Sequence, residues 1–134
     1  MRRDLLTQGI ASVCKWSVFK ISRAPGALDS RDAERTLLPF AAETGRAVLV
    51  NVPFGNGRLF QATAGKSLPP WAAEFGIRSW AQFFLKFIIS HPAVTAVLPA
   101  TRNPTHMVDN LGAGLGPMPT SADRARMIRF FETL

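Results

Sequence analysis

Val94-Thr95-Ala96-Val97-Leu98-Pro99-Ala100-Thr101-Arg102-Asn103-Pro104-Thr105-His106 is the stretch on which the fold turns. Residues 94–98 form a short, nearly all-apolar, β-branched run, the pattern of a strand buried on both faces of a parallel sheet. Pro99 closes it. Asn103 followed by Pro104 marks the start of a helix, with asparagine as the cap and proline at the first helical position. The stretch therefore reads as strand, turn, helix. A second buried-type strand, Ala47-Val48-Leu49-Val50-Asn51-Val52, ends at Pro53.

Working outward, Ser79 caps a helix whose Trp80, Phe83, Phe84, Phe87 and Ile88 recur at helical spacing. His91-Pro92 ends it. This aromatic stripe could serve as a stacking platform for bases, but its period is that of buried core. Upstream, Asp29 or Ser30 caps a helix through about Thr44, with Ala33, Leu37, Leu38 and Ala41 on one face, a kink at Pro39 and Gly45 beyond its end. Residues 53–77 carry Pro53, Gly55, Gly57, Gly65, Pro69, Pro70 and Gly76. They read as a lid or binding loop, with some helix near 70–75. Residues 112–117 are a loop. Thr120 with Asp123 starts a last helix whose apolar face includes Met127, Ile128 and Phe131. Alternating helices and buried strands predict an α/β fold with a parallel sheet.

Composition sets the outer limits. The 134 residues suffice for one domain or part of one. No apolar run is long enough to cross a membrane. The single cysteine, Cys14, allows neither an internal disulfide nor a zinc site of Cys/His pairs, and a cytoplasmic location is expected. The net charge is +7. Arg2, Arg3, Lys15, Lys20 and Arg23 lie within residues 1–26 against one acid, Asp4. We divide the chain into a basic, poorly structured arm, 1–26, and a globular part, 27–134. The arm could attract nucleic acid or an anionic surface, although it lacks the period of a reading helix and is expected to be a solvated tail. Arg2-Arg3 echoes a twin-arginine export signal, but no apolar stretch or small-residue cleavage site follows.

The turn after residue 98 is the candidate site. Unpaired backbone N–H groups at the start of the 104–111 helix and its dipole favour an anion. Thr101 and Asn103 can donate hydrogen bonds, and Arg102 offers a fork to phosphate. An ordinary strand–turn–helix with an Asn-Pro cap accounts for the same spacing. Other motifs carry less. Gly65-Lys66-Ser67 ends like a phosphate-binding loop, but Phe60 stands where its first glycine belongs. His91 reads as a helix-end residue, and Cys14 has no paired base.

Leu98-Pro99-Ala100-Thr101-Arg102-Asn103-Pro104-Thr105-His106-Met107-Val108-Asp109-Asn110 resembles the cofactor-binding segment of the aldo/keto reductases. Ser79-Trp80-Ala81-Gln82 followed by His91-Pro92-Ala93-Val94-Thr95 resembles that family's seventh helix and eighth strand, and Asn51-Val52-Pro53-Phe54-Gly55 the turn after its seventh strand. The likeness runs from about Asp29 to Leu134. It implies a partial (β/α)₈ TIM barrel made of the last three strand–helix units and a C-terminal helix. It also implies binding of NADP(H), with NAD(H) as an alternative.

By the same resemblance, Thr101, Arg102 and Asn103 line the 2′-phosphate pocket, and His106 stands where the family often has an arginine. Asp109 and Asn110 contact adenine, while Phe54 and Gly55 lie near the pyrophosphate through their backbone. Ala100 and His106 each replace a cation, which leaves the choice between NADPH and NADH open. His106 adds charge only when protonated.

The family's catalytic Asp, Tyr, Lys and His lie in the first half of its barrel, and this chain contains no tyrosine. The expected function is an NAD(P)H-dependent oxidoreductase fragment that is inactive alone, a truncated or frameshifted reductase. The alternative is a non-catalytic nucleotide- or partner-binding half-barrel, completed by a second chain or by self-association.

Overall fold

The computed structural model describes residues 19–21 and 32–134. Its elements are β1 (Phe19–Ile21), α1 (Asp32–Arg35), α2 (Leu37–Glu43), β2 (Val48–Asn51), α3 (Arg58–Ala62), α4 (Trp80–Ile89), β3 (Ala96–Leu98), α5 (Pro104–Gly112) and α6 (Ser121–Phe131). Two 3₁₀ segments, Gly55–Gly57 and Pro70–Phe75, precede α3 and α4. The three strands form one parallel sheet in the order β1-β2-β3, with Val48 opposite Phe19, and Asn51 opposite Leu98. The α/β class and parallel pairing expected from the two apolar runs are therefore present. No helix among the described residues is long and apolar enough to cross a membrane.

Four expectations change. The helix anticipated through Thr44 is broken at Thr36 into α1 and α2. Pro39 has no N–H for the carbonyl four residues back, and its ring crowds that carbonyl, so the chain restarts rather than kinks. The anticipated capping residues, Asp29 and Ser30, lie outside the described residues.

Residues 53–77 form packed structure rather than a lid. Pro53, Leu59, Thr63, Pro69, Ala72, Phe75 and Ile77 are buried, and the Trp80 indole N–H donates to the Lys66 carbonyl at 3.0 Å. The proline and glycine turns shape 3₁₀ segments that lie on the core.

β3 is not enclosed. Ala96 and Leu98 are exposed, because β3 stands at the edge of the sheet with no strand beyond it among the described residues. Finally, Phe19–Ile21 pairs with β2 inside the segment read as an unstructured arm. Three residues are too few to show a period. The remainder of that arm lies outside the described residues.

The core gathers around α4. Every residue from Gln82 to Ile88 is buried, so this helix is covered on all sides rather than along one stripe. Ser79 caps it, accepting from the Gln82 N–H. Lys86 is enclosed with the rest; its Nζ donates to the carbonyls of Phe75 and Leu115, each at 2.5 Å. The ammonium thus closes the end of the second 3₁₀ segment and the loop after α5. Burial pulls its pKa below the ordinary lysine value.

At the far end of α4, the His91 Nδ1 accepts the Ala93 N–H at 3.1 Å. Burial lowers its pKa from the ordinary 6.5, the Arg124 charge lowers it further, and Glu34 partly opposes. A depressed folded-state value means that the unfolded chain binds the proton more readily. His91 therefore contributes stability that is full above about pH 6.5 and is lost as the pH falls through the folded-state value. Thermal unfolding between pH 7.5 and 5 is expected to show a falling midpoint, with a shallower fall in His91→Asn. Equal slopes for the two proteins would refute the assignment.

Candidate functional site

β2 and β3 end side by side, since Asn51 pairs with Leu98. The loops that follow, 52–57 and 99–103, therefore share one end of the sheet, where parallel α/β proteins bind ligands. The first loop is strained. Val52 has φ +52° and Asn56 φ +56°, and a β-branched residue in the left-handed region costs about 1–3 kcal/mol. Gly55 closes the turn, its N–H donating to the Val52 carbonyl at 3.0 Å.

The second loop is organised by its own side chains. The Thr101 hydroxyl accepts the Asn103 N–H at 3.1 Å, and the Asn103 Oδ1 accepts the Thr105 N–H at 2.9 Å. Asn103 is thus the cap of α5, with Pro104 at its first position. Arg102, between them, is exposed and makes no hydrogen bond or ion pair among the described residues.

A cleft of about 470 Å³ opens beside these loops. Five of the eight expected residues line it: Phe54, Thr101, His106, Asp109 and Asn110. Arg102 and Asn103 stand in the turn next to it, and Gly55 is not part of its wall. Five contributors were not expected as site residues: Phe60, Ser79, Trp80, Ala81 and Ala100. Phe54 and Phe60 pack with ring centroids 4.9 Å apart, and Phe60 meets Phe84 of the core at 5.7 Å. Trp80 stacks on Phe84 and on Phe130. The aromatic wall therefore continues directly into the core and is held rigid by it. Ser79 and Trp80 were legible as a helix start, but nothing local in the sequence says that this start faces the 99–110 segment.

Two neighbours on α5 have different tasks. The Asp109 carboxylate accepts the Ser79 hydroxyl at 2.6 Å and the Gln82 amide at 2.8 Å, and the same amide reaches the Asp109 carbonyl at 3.1 Å. The Gln82 Oε1 in turn accepts the Arg78 N–H at 2.8 Å. Asp109 thus clasps α5 to the start of α4. Asn110 is only 7% exposed, and its carboxamide has no hydrogen-bond partner among the described residues although it lines the cleft. Its polar atoms stay accessible from the cleft, since no enclosed side-chain nitrogen or oxygen among the described residues lacks a partner.

The clasp requires Gly112. A methyl group there would come within 2.6 Å of the Gln82 Nε2 and 3.2 Å of its Cδ. Alanine in place of glycine ordinarily favours a helix by about 0.5–1 kcal/mol. Here Gln82 is pinned at both ends, so overpacking at about 1–3 kcal/mol outweighs that gain. Gly112→Ala is expected to lower the urea midpoint; an unchanged or raised midpoint would mean that α4 and α5 are less tightly docked.

The chain matches no known family model, no curated protein and no solved structure.

Proposed function

We propose that this chain holds the adenine and phosphate end of NADP(H), as the cofactor-holding portion of an aldo/keto reductase-like barrel, without transferring hydride by itself. The observation that carries the reading is Asn110, whose carboxamide makes no hydrogen bond to the described residues and is open to a cleft walled by aromatic rings. A carboxamide offers one donor and one acceptor side by side, the complement of the adenine N6 and N7 edge. Trp80, Phe54 and Phe60 supply apolar faces for the purine ring. Next to them, the start of α5 presents the His106 backbone N–H and the positive end of the helix dipole, Pro104 having no N–H and that of Thr105 being taken by Asn103. Thr101 retains its hydroxyl proton as a donor, and Arg102 remains available to a phosphate.

When bound, the cofactor supplies a hydride for a carbonyl carbon. The part of this chain is to bind and orient the nucleotide. Asp109 acts one step back, fixing α5 so that Asn110 and His106 face the cleft together. The family's proton donor is a tyrosine, and the chain has none. The site is therefore read as a holding site and not as a catalytic one.

Tryptophan excitation tests this, because energy transfer to a reduced nicotinamide cofactor reports binding, and the share lost in Trp80→Phe reports binding at the cleft wall. Saturable transfer with NADPH at micromolar concentration is expected. Asn110→Leu removes the donor–acceptor pair at nearly constant volume and should weaken binding about tenfold or more, roughly 1.4 kcal/mol. Arg102→Ala should weaken NADPH more than NADH. No saturation at millimolar cofactor would end this reading and leave the partner-binding half-barrel.

A further inference from the structure

We infer that the cleft holds phosphate in a proton-dependent way through His106, so that a phosphate-bearing nucleotide binds more tightly at pH 6 than at pH 8. This rests on the nucleotide reading and names the group that regulates the same site. Among the residues lining the cleft, only His106 and Asp109 are ionisable. The Asp109 carboxylate is engaged, accepting the Ser79 hydroxyl and the Gln82 amide. His106 is exposed, and its ring makes no hydrogen bond or ion pair among the described residues. His106 is therefore the lining group that can take both a proton and a new partner.

Histidine is the residue type that changes its charge between about pH 5 and 8. A neutral imidazole offers one N–H to a phosphate oxygen. An imidazolium offers two N–H groups and a full charge, which makes the stronger, charge-assisted bond. The other charges around the cleft are cations. Arg102 stands in the turn before α5, and Arg78 adjoins Ser79 on the α4 side; both are exposed. Lys66 lies behind Trp80, whose indole donates to its carbonyl. Arg58 donates its Nε to the Gly55 carbonyl at 3.2 Å. The cleft lining thus supplies no uncommitted carboxylate to a protonated His106, and an incoming phosphate is the counter-charge that favours the proton. Proton and phosphate then strengthen each other reciprocally. Two sources share this chemistry, a 2′-phosphate and a pyrophosphate.

Calorimetric titration of the full chain with NADP⁺ and with NAD⁺ at pH 8, 7 and 6 tests this. NADP⁺ is expected to bind about five- to tenfold more tightly at pH 6 than at pH 8, even though a phosphate monoester begins to take up a proton of its own near pH 6. An equal gain with NAD⁺ assigns the effect to the pyrophosphate, and a gain confined to NADP⁺ assigns it to the 2′-phosphate. At pH 7, binding should draw a fraction of a proton from the buffer, read as a difference in heat between two buffers of unlike ionisation enthalpy. His106→Asn should abolish both the gain and the proton uptake. His106→Arg should hold the nucleotide at pH 8 as tightly as the parent chain does at pH 6. An affinity that is flat or falls from pH 8 to pH 6, or a gain that persists in His106→Asn, would overturn the inference and leave the nucleotide reading standing. No saturation with either nucleotide at any pH would overturn both.

Discussion

Arg124→Ala is expected to lower the free energy of unfolding by about 3–5 kcal/mol, the usual consequence of removing one partner from a buried ion pair. The guanidinium is 8% exposed. Its Nη1 donates to the Phe87 carbonyl and, at 3.2 Å, to the Ser90 hydroxyl, while its Nη2 pairs with Glu34. The charge also lies 4.0 Å from the centre of the Phe87 ring. Burial draws the Arg124 pKa down and Glu34 holds it up, and the group stays charged at any working pH. Truncation orphans a carbonyl near the end of α4 and strips Glu34, on the four-residue α1, of its counter-ion. Glu34→Gln keeps a hydrogen-bonding acceptor and should cost only about 1 kcal/mol. Urea unfolding of both variants decides the matter. A loss under about 1 kcal/mol for Arg124→Ala would mean that the pair behaves as a surface ion pair.

Phe83→Ala should be of the same order, about 3–5 kcal/mol, through the cavity it leaves. Phe83 is fully buried, and its ring meets Trp80 at 5.4 Å, Trp71 at 5.9 Å, Phe84 at 6.1 Å and Phe130 at 6.3 Å. The cluster joins the second 3₁₀ segment, α4 and α6, so nothing nearby is free to collapse into the space. Phe40→Ala, at a ring 46% exposed, should cost under about 1 kcal/mol. Unfolding followed by tryptophan fluorescence measures both. Comparable losses would refute α4 as the centre of the core. Because domains of this size hold only about 5–15 kcal/mol in total, Phe83→Ala also bears on the cleft, whose Trp80 wall rests on the same ring.

Several features were legible because they are local. Ser79, Asn103 and the Thr120–Asp123 capping box each form the cap that their spacing implies. A cap joins residues two or three apart in the chain and needs no distant partner. The aromatic period of 80–88 identified the core helix for a similar reason, since one covered stripe suffices to make the pattern. The parallel pairing of β2 with β3 followed from two apolar runs separated by a helix.

Other features depend on what arrives from elsewhere in the chain. Apolarity alone made β3 look enclosed, but whether a strand is covered depends on its neighbours, and β3 has one only on the β2 side among the described residues. Glycine and proline made 53–77 look like an open lid. Their turns instead place Leu59, Ala72 and Phe75 against α4, and only the packing distinguishes the two outcomes. Asp109 could be placed beside the cleft from its position in the 98–110 segment. That its carboxylate is engaged by Ser79 and Gln82, thirty and twenty-seven residues away, is decided by the docking of α5 on α4. The same docking leaves the adjacent Asn110 carboxamide open to the cleft, with no hydrogen bond to the described residues. The sequence by itself determined the starts of α4, α5 and α6, the core helix and the direction of the strands, because these rest on short-range hydrogen bonding and on the period of apolar side chains. The tertiary structure decided which polar groups are engaged by the fold and which stay open to the cleft, because that depends on contacts between segments far apart in the chain.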